Sequence, residues 1–314
     1  MLDLAIVGGG PAGLTAGLYA SRGGLKDVVM FEPGMVGGQI TGSSDIENYP
    51  SQMQAISGME LMQNWLPQAQ KFGLKHETEE IVRVSKSADG NFTLTAASGK
   101  RYEFKSVIFC TGSVPNRAGF EGEEEFFGRG ISGCATCDGF FNKGKDVAVI
   151  GGGNAALEEA VYLAGMCNKV YLIHRRESFR AAPLAVEKTR ETKNVEMILN
   201  AAPIKVLGDQ ASGVTGLTIE TKNGQRRDLA VSGIFVFVGR SAKTDALRDE
   251  NGRYLCDLDK NGEVVTDIRM HTSVDGLFAA GDIRAHSPKQ VVVAAGDGAV
   301  AALEAIAYLE RGAV

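Results

Sequence analysis

Cys134-Ala135-Thr136-Cys137-Asp138 concentrates more chemistry than any other stretch of this 314-residue chain. Two thiols with two residues between them can close a disulfide or supply half of a metal site. A carboxylate directly after the second thiol can give and take the protons that each thiol–disulfide cycle moves. A zinc site needs two further ligands, and neither the other cysteines (Cys110, Cys167, Cys256) nor the four histidines are paired at ligand spacing. The pair therefore reads as a redox dithiol rather than a zinc or inert pair, with Cys134, Cys137 and Asp138 as candidate catalytic residues and no metal expected. Cys110, Cys167 and Cys256 read as packing or surface residues, the last in a polar loop. His76, His271 and His286 read as ordinary loop residues.

The second source of chemistry is a repeat. Val7-Gly8-Gly9-Gly10-Pro11-Ala12-Gly13-Leu14 returns 143 residues later as Ile150-Gly151-Gly152-Gly153-Asn154-Ala155-Ala156-Leu157, and six of the twelve positions from Gly8 and Gly151 onward are identical. Each copy follows a short apolar run (Leu4 to Val7; Val147 to Ile150) and opens an apolar helical pattern (Leu14 to Ala20; Leu157 to Ala164). Glycines there permit a tight turn and a close backbone approach to a pyrophosphate, while the helix N-terminus offers unpaired N–H groups. Counting 24 residues from the first glycine reaches Glu32 in the first copy and Arg175 in the second. A carboxylate accepts hydrogen bonds from ribose hydroxyls and repels a 2′-phosphate, so the first site suits FAD or NAD. In the second, His174-Arg175-Arg176 and Arg180 suit a 2′-phosphate, which makes NADPH the expected ligand rather than NADH.

These residues need elements to hold them. Extended runs follow the first unit at 81–85, 91–96 and 102–104, and an apolar strand 107–110 ends in Thr111-Gly112. After the second unit, strand 234–238 ends at Gly239. A last strand, 277–280, ends in Gly281-Asp282 ahead of a long apolar helix from about Gln290 to Leu309. That closing strand, turn and helix would complete the first nucleotide site, with Asp282 accepting from a ribityl chain. The expected fold is therefore α/β: two Rossmann-like dinucleotide-binding domains of three-layer type. An NADPH-binding domain (114–241) is inserted into an FAD-binding domain made of 1–113 and 242–314, and a simple split near residue 140 is the runner-up. Composition agrees with a folded α/β chain: 44% is apolar and 40 residues are glycine, about 13% against a usual ~7%, without a collagen period. A net charge of −5 offers no basic surface to nucleic acid. The chain opens directly on an apolar strand, with no signal-like region and no run of 18 uninterrupted apolar residues, so a soluble, cytoplasmic protein without membrane contact is expected.

Taken together, the chain resembles the low-molecular-weight bacterial thioredoxin reductases over nearly its whole length. The matching stretches are Gly8 to Gly13, Gly37-Gly38-Gln39, Glu47 to Pro50, Cys134 to Phe141, Gly151 to Ala156, His174-Arg175-Arg176 with Phe179-Arg180-Ala181, and Phe278 to Asp282. The Cys-Ala-Thr-Cys-Asp run before a second glycine turn is the specific element. The resemblance implies FAD contacts from Glu32 to Gln39, from Asn48, from Gly112 and from Asp282 to Val291. It implies NADPH contacts from Gly153 to Ala156 and from the three arginines. It further implies that Cys137 is the sulfur nearer the flavin and Cys134 the nucleophile toward thioredoxin, that Arg129, Phe140 and Phe141 flank the dithiol, and that the protein is a homodimer. Two departures stand out: Lys289-Gln290 replaces the usual Arg-Gln, and Arg240-Ser241-Ala242 follows Gly239 where relatives commonly have proline. The implied activity is electron transfer from NADPH through FAD and the dithiol to oxidised thioredoxin. Because nicotinamide and dithiol would share the inserted domain and must both reach one flavin, that domain is expected to rotate and present them in turn. Rival readings are a related flavoprotein disulfide reductase, a thiol oxidase and a non-catalytic flavin redox sensor. The arginine cluster disfavours the last two, and the cysteine pair disfavours a ferredoxin-linked reductase.

Overall fold

The computed structural model describes residues 1–43, 46–209 and 211–311, so the last three positions of the segment expected at 242–314 lie outside it. The chain forms two compact units, one made of Met1–Val114 with Ser241–Val314 and the other of Pro115–Arg240.

The first unit begins with β1 (Leu2–Val7), α1 (Pro11–Arg22) and β2 (Val28–Phe31). The apolar runs of both strands are buried because a parallel sheet is covered on both faces. α2 (Gly58–Met62) and α3 (Trp65–Gln70) lead to the edge strand β3 (Lys75–Glu77), then to β4 (Ile81–Lys86), β5 (Phe92–Ala96), β6 (Arg101–Phe109) and β7 (Ser113–Pro115). Ser57 and Glu60 form a reciprocal capping box at the start of α2. The two runs expected at 102–104 and 107–110 are one strand, β6. Its first half pairs antiparallel with β5 and its second half parallel with the late strand that ends the sheet, while β1 lies along its other edge.

In the second unit, α4 (Glu123–Phe126), β8 (Ile131–Ser132) and α5 (Ala135–Asp138) precede the second strand–turn–helix, β9 (Asp146–Gly151) and α6 (Asn154–Ala164). β10 (Lys169–His174), α7 (Pro183–Glu191) and β11 (Val195–Leu199) continue it. An antiparallel meander follows, β12 (Ala201–Asp209), β13 (Gly213–Thr221) and β14 (Arg226–Leu229), and then β15 (Gly233–Phe237). The five-stranded parallel sheet runs β11-β10-β9-β15-β8. β16 (Arg240–Ala242) pairs with β7 where the chain crosses between units.

The first unit closes with β17 (Leu277–Ala279) and α8 (Val291–Arg311). Its sheet runs β3-β2-β1-β6-β5-β4, with β17 on β6. By length and composition α8 is apolar enough to cross a membrane. Much of that apolar content serves the unit's own core, since Ala294, Ala301, Ala302 and Ala305 are buried in the cluster that holds Leu14, Ala16 and Ala20 of α1.

Candidate functional site

Two of the three glycines at each turn play the same physical part in both copies. At Gly8 (φ +111°) a Cβ would lie 2.4 Å from the Cys110 carbonyl oxygen, and at Gly151 it would lie 2.5 Å from that of Phe237. Only glycine lets each turn press on the neighbouring strand. The middle glycines face the end of the next strand: a Cβ on Gly9 would meet the Glu32 side chain at 2.8 Å, and one on Gly152 would meet the His174 ring at 2.1 Å. Closing the turn differs. Gly13 is obligatory because a Cβ there would sit 1.9 Å from the Gly8 oxygen, whereas the second copy accommodates Ala156.

Sheet register corrects one counting step. β1 pairs Val7 with Phe31, and β9 pairs Ile150 with Ile173. Glu32 therefore corresponds to His174, and Arg175 lies one residue beyond it, because the connection from α6 to β10 is one residue shorter than that from α1 to β2. His174 is buried, stacked on Phe179 with ring centroids 5.2 Å apart, and its Nε2 lies 3.1 Å from the Ser178 carbonyl oxygen. Burial, then the charges of Arg176, Arg180 and Arg175, push its pKa below the ordinary histidine value. Its place is beneath the turn. Arg175, Arg176 and Arg180 are exposed and form no ion pair among the described residues. Two backbone contacts fix the loop that carries them: Arg180 N–H donates to the Gly152 oxygen (2.8 Å) and Ala182 N–H to Asn154 Oδ1 (2.7 Å).

In the first unit, Glu32 accepts from the N–H groups of Gly9 (2.8 Å) and Gly34 (3.0 Å). Gly37 N–H donates to the Gly9 oxygen (2.8 Å), and Gly38 (φ +73°) lies against Gly10. Gln39 Nε2 donates to the Ser113 carbonyl, and Asn48 Nδ2 donates to Gln290 Oε1 at 3.3 Å. Thr111 Oγ1 donates to the Lys243 oxygen (2.7 Å), whose N–H returns to Gly112 (3.0 Å). Gly281 (φ +80°) sits against Ala12, where a Cβ would come within 2.9 Å of the Ala12 Cβ. Lys289 (φ +58°) donates from Nζ to the Asp282 carbonyl (2.8 Å) and pairs with Glu263 (2.9 Å). The expected residues Gly8 to Gly13, Glu32, Gly37 to Gln39, Gly281, Asp282 and Lys289 to Val291 thus belong to one unit and meet around the N-termini of α1 and α8.

Both turns fit a dinucleotide. Neither α1 nor α6 has a side-chain cap or an acidic residue in its first turn, so neither helix brings a carboxylate of its own to its N-terminal N–H groups. Next to these groups, a Cβ on Gly10 would find only the Gly38 Cα at 3.8 Å, and one on Gly112 or Gly153 would find nothing within 4 Å. These are the places where backbone can approach a pyrophosphate.

Cys134 and Cys137 form a disulfide, with Cα atoms 5.3 Å apart. Cys134 is the extended N-cap residue of α5, and Cys137 and Asp138 lie within its single turn, all three half-buried. Cys134 Sγ lies 3.4 Å from Thr136 Oγ1. Nearby, Phe140 is 59% exposed and packs edge-on to Phe141. The remaining thiols are unpaired and buried; Cys256 lies in the irregular segment ahead of β17, as expected of a loop residue, and packs into the core there. Burial pushes Cys167 up to about 11 and Cys256 up to about 12, and raises Cys110 as well, which leaves all three protonated and inert at neutral pH. Two histidines also differ from expectation. His76 lies in β3, and His271 sits between Asp267 (3.1 Å) and Glu304 (3.3 Å).

Sequence reasoning included Arg284 only within the stretch from Asp282 to Val291 and missed Asp297, with which it pairs beneath the Gly281 turn. The available signal was a lone aspartate in the otherwise uncharged run from Val291 to Leu303.

Residues 2–298 match the family described as pyridine nucleotide-disulphide oxidoreductase. The chain is 54% identical to a thioredoxin reductase of Helicobacter pylori, over 99% of this chain and all of that protein. It is 38% identical to a bifunctional thioredoxin reductase/thioredoxin of Mycobacterium leprae, over 98% of this chain and 66% of the relative. Its fold superposes on the crystal structure of thioredoxin reductase from Streptococcus pyogenes with a TM-score of 0.92 and 36% identity, covering 99% of each chain.

Proposed function

The chain belongs to the pyridine nucleotide-disulphide oxidoreductase family, and from that premise we propose that it is a thioredoxin-disulfide reductase, using NADPH and FAD to reduce oxidised thioredoxin. The observation that carries the reading is the Cys134–Cys137 disulfide in the same unit as a glycine turn and three exposed arginines, Arg175, Arg176 and Arg180. FAD when bound supplies the two-electron link between the hydride of NADPH and that disulfide.

The protein's own residues do the rest. Glu32 receives the adenosine ribose of FAD, while Gly10 and the N-terminus of α1 receive its pyrophosphate. Asn48, Thr111, Gly112, Asp282, Gln290 and Val291 line the remainder of the FAD site. Gly153 to Ala156 take the NADPH pyrophosphate, and Arg175, Arg176 and Arg180 neutralise its 2′-phosphate. His174 holds the turn from below.

In the reduced enzyme, Cys134 Sγ attacks one sulfur of the thioredoxin disulfide, and the other thioredoxin sulfur leaves as a thiolate. Cys137 Sγ then attacks Cys134 Sγ. The Cys134–Cys137 disulfide re-forms, and thioredoxin departs as a dithiol carrying the two electrons. Asp138 takes a proton from the attacking thiol and returns one to the leaving sulfur. Arg129, Phe140 and Phe141 form the docking edge for thioredoxin. The fusion relative, which joins both activities in one chain, supports thioredoxin as the partner.

The protein acts in the cytoplasm as a homodimer. The buried free thiols suit a reducing compartment. The dimer is supported by the apolar face of α1 and α8, where Tyr19, Val292 and Leu303 are exposed beside a groove of about 760 Å³ that Tyr49 and Trp65 line. NADPH-dependent reduction of purified thioredoxin, read by its subsequent reduction of insulin, tests the activity. Insulin left intact with NADPH, enzyme and thioredoxin all present would refute it.

A further inference from the structure

α8 carries one ionisable residue in its first 13 positions, Asp297, and it is 6% exposed. A carboxylate removed from water in an apolar helix needs partners for both oxygens. Arg284 supplies most of them. Its Nε donates to Asp297 Oδ2 at 2.5 Å and its Nη2 to Oδ1 at 2.9 Å, a two-pronged pair whose side chains are 16% and 7% exposed. The third bond comes from the backbone: Gly281 N–H donates to Oδ2 at 3.1 Å.

The next residue of the helix acts on the other side. A Cβ at Gly298 would lie 2.1 Å from the Ala12 oxygen, so α8 rests directly on the first glycine turn. Gly281, held by Asp297, faces the same alanine, since a Cβ there would come within 2.9 Å of the Ala12 Cβ. Ala12, Gly281, Asp297 and Gly298 thus form one junction between the two ends of the chain. A buried ion pair gains little stability over an apolar pair of the same volume, because desolvation offsets the attraction. What this pair does provide is direction: it fixes the backbone of the 281–283 turn relative to both α8 and the turn at Gly8 to Gly13.

We propose that Arg284 and Asp297 are positioning residues for the FAD site, holding Asp282 and the N-terminus of α8 in register with the first glycine turn so that one flavin nucleotide meets both at once. The inference rests on the FAD reading above. Neither residue touches the ligand. Arg284 orients Asp297, Asp297 orients Gly281, and Gly281 sets Asp282, whose carbonyl Lys289 secures from the far side.

The test uses the full-length flavin-bound protein and reads the rate at which FAD leaves it on dilution, from the recovery of free-flavin fluorescence. Arg284→Met should speed release at least tenfold and alter the visible circular dichroism of the bound flavin. Arg284→Lys keeps the charge but loses the fork, and should fall between the two. Affinity for NADP⁺, which the other unit binds, should stay within twofold of wild type in both variants, whereas general destabilisation would weaken both ligands together. If Arg284→Met does not fold, Arg284→Lys decides alone, by release at least threefold faster than wild type. Release at the wild-type rate from the folded variants, or equal weakening of FAD and NADP⁺, would overturn the positioning role. Wild-type protein that purifies without any flavin would overturn instead the reading on which it rests.

Discussion

Cys134 and Cys137 are chemically alike but differently placed, one capping α5 from an extended backbone and the other inside its turn beside Asp138. The two should therefore fail differently when replaced. Cys137→Ser keeps the proposed nucleophile and should trap a stable mixed disulfide with a thioredoxin whose resolving cysteine is removed, while Cys134→Ser should not. Mass spectrometry of the adduct decides, and the reverse pattern would exchange the two roles. The arginines make an equally specific claim. Replacing Arg175 and Arg176 with Ala should raise KM for NADPH by about 1–3 kcal/mol per lost charged hydrogen bond and leave KM for NADH nearly unchanged. Equal effects on both cofactors would remove the 2′-phosphate from the argument. The exposure of the arginines was legible because a run of charges directly after a buried apolar strand must turn out to solvent. The buried imidazole beside them was not, since a connection shorter by one residue shifts the register and only strand pairing reveals the shift.

The strand–turn–helix elements were readable because their requirements are local: an apolar run, glycines at fixed spacing, then a helix of small and apolar residues. Within them the glycines are not interchangeable. Gly8→Ala forces a Cβ to 2.4 Å from a backbone oxygen at a φ that L residues rarely adopt, and should cost about 2–4 kcal/mol with loss of bound flavin. Gly153→Ala meets nothing within 4 Å in the protein, so the thermal midpoint should hold while KM for NADPH rises, because the methyl group occupies the approach to the pyrophosphate. Thermal melts and cofactor kinetics on the two variants would separate these effects, and a matching fall in stability for both would contradict the distinction. Long-range features were less legible. Nothing in the order of residues pairs Arg284 with Asp297, joins 101–109 into one strand that changes partners midway, or buries Cys256.

Unit 115–240 carries both the second glycine turn and the cysteine pair, while the residues assigned to FAD lie in the other unit. On the proposed cycle, nicotinamide and disulfide must reach one flavin in turn, which calls for rotation of the inserted unit. A cross-link fixing the two units should then stop turnover but leave one half-reaction intact in stopped-flow traces. Full steady-state turnover by the locked protein would exclude rotation. The central claim, that electrons from NADPH leave through Cys134 and Cys137 as a thioredoxin dithiol, is tested most directly by anaerobic stoichiometry: NADPH consumed against thioredoxin thiols formed, in wild type and in Cys134→Ser/Cys137→Ser. One thioredoxin dithiol per NADPH in wild type and none in the double variant is the predicted result. NADPH oxidation by wild type without thioredoxin thiols, or thioredoxin reduction that persists in the double variant, would contradict it.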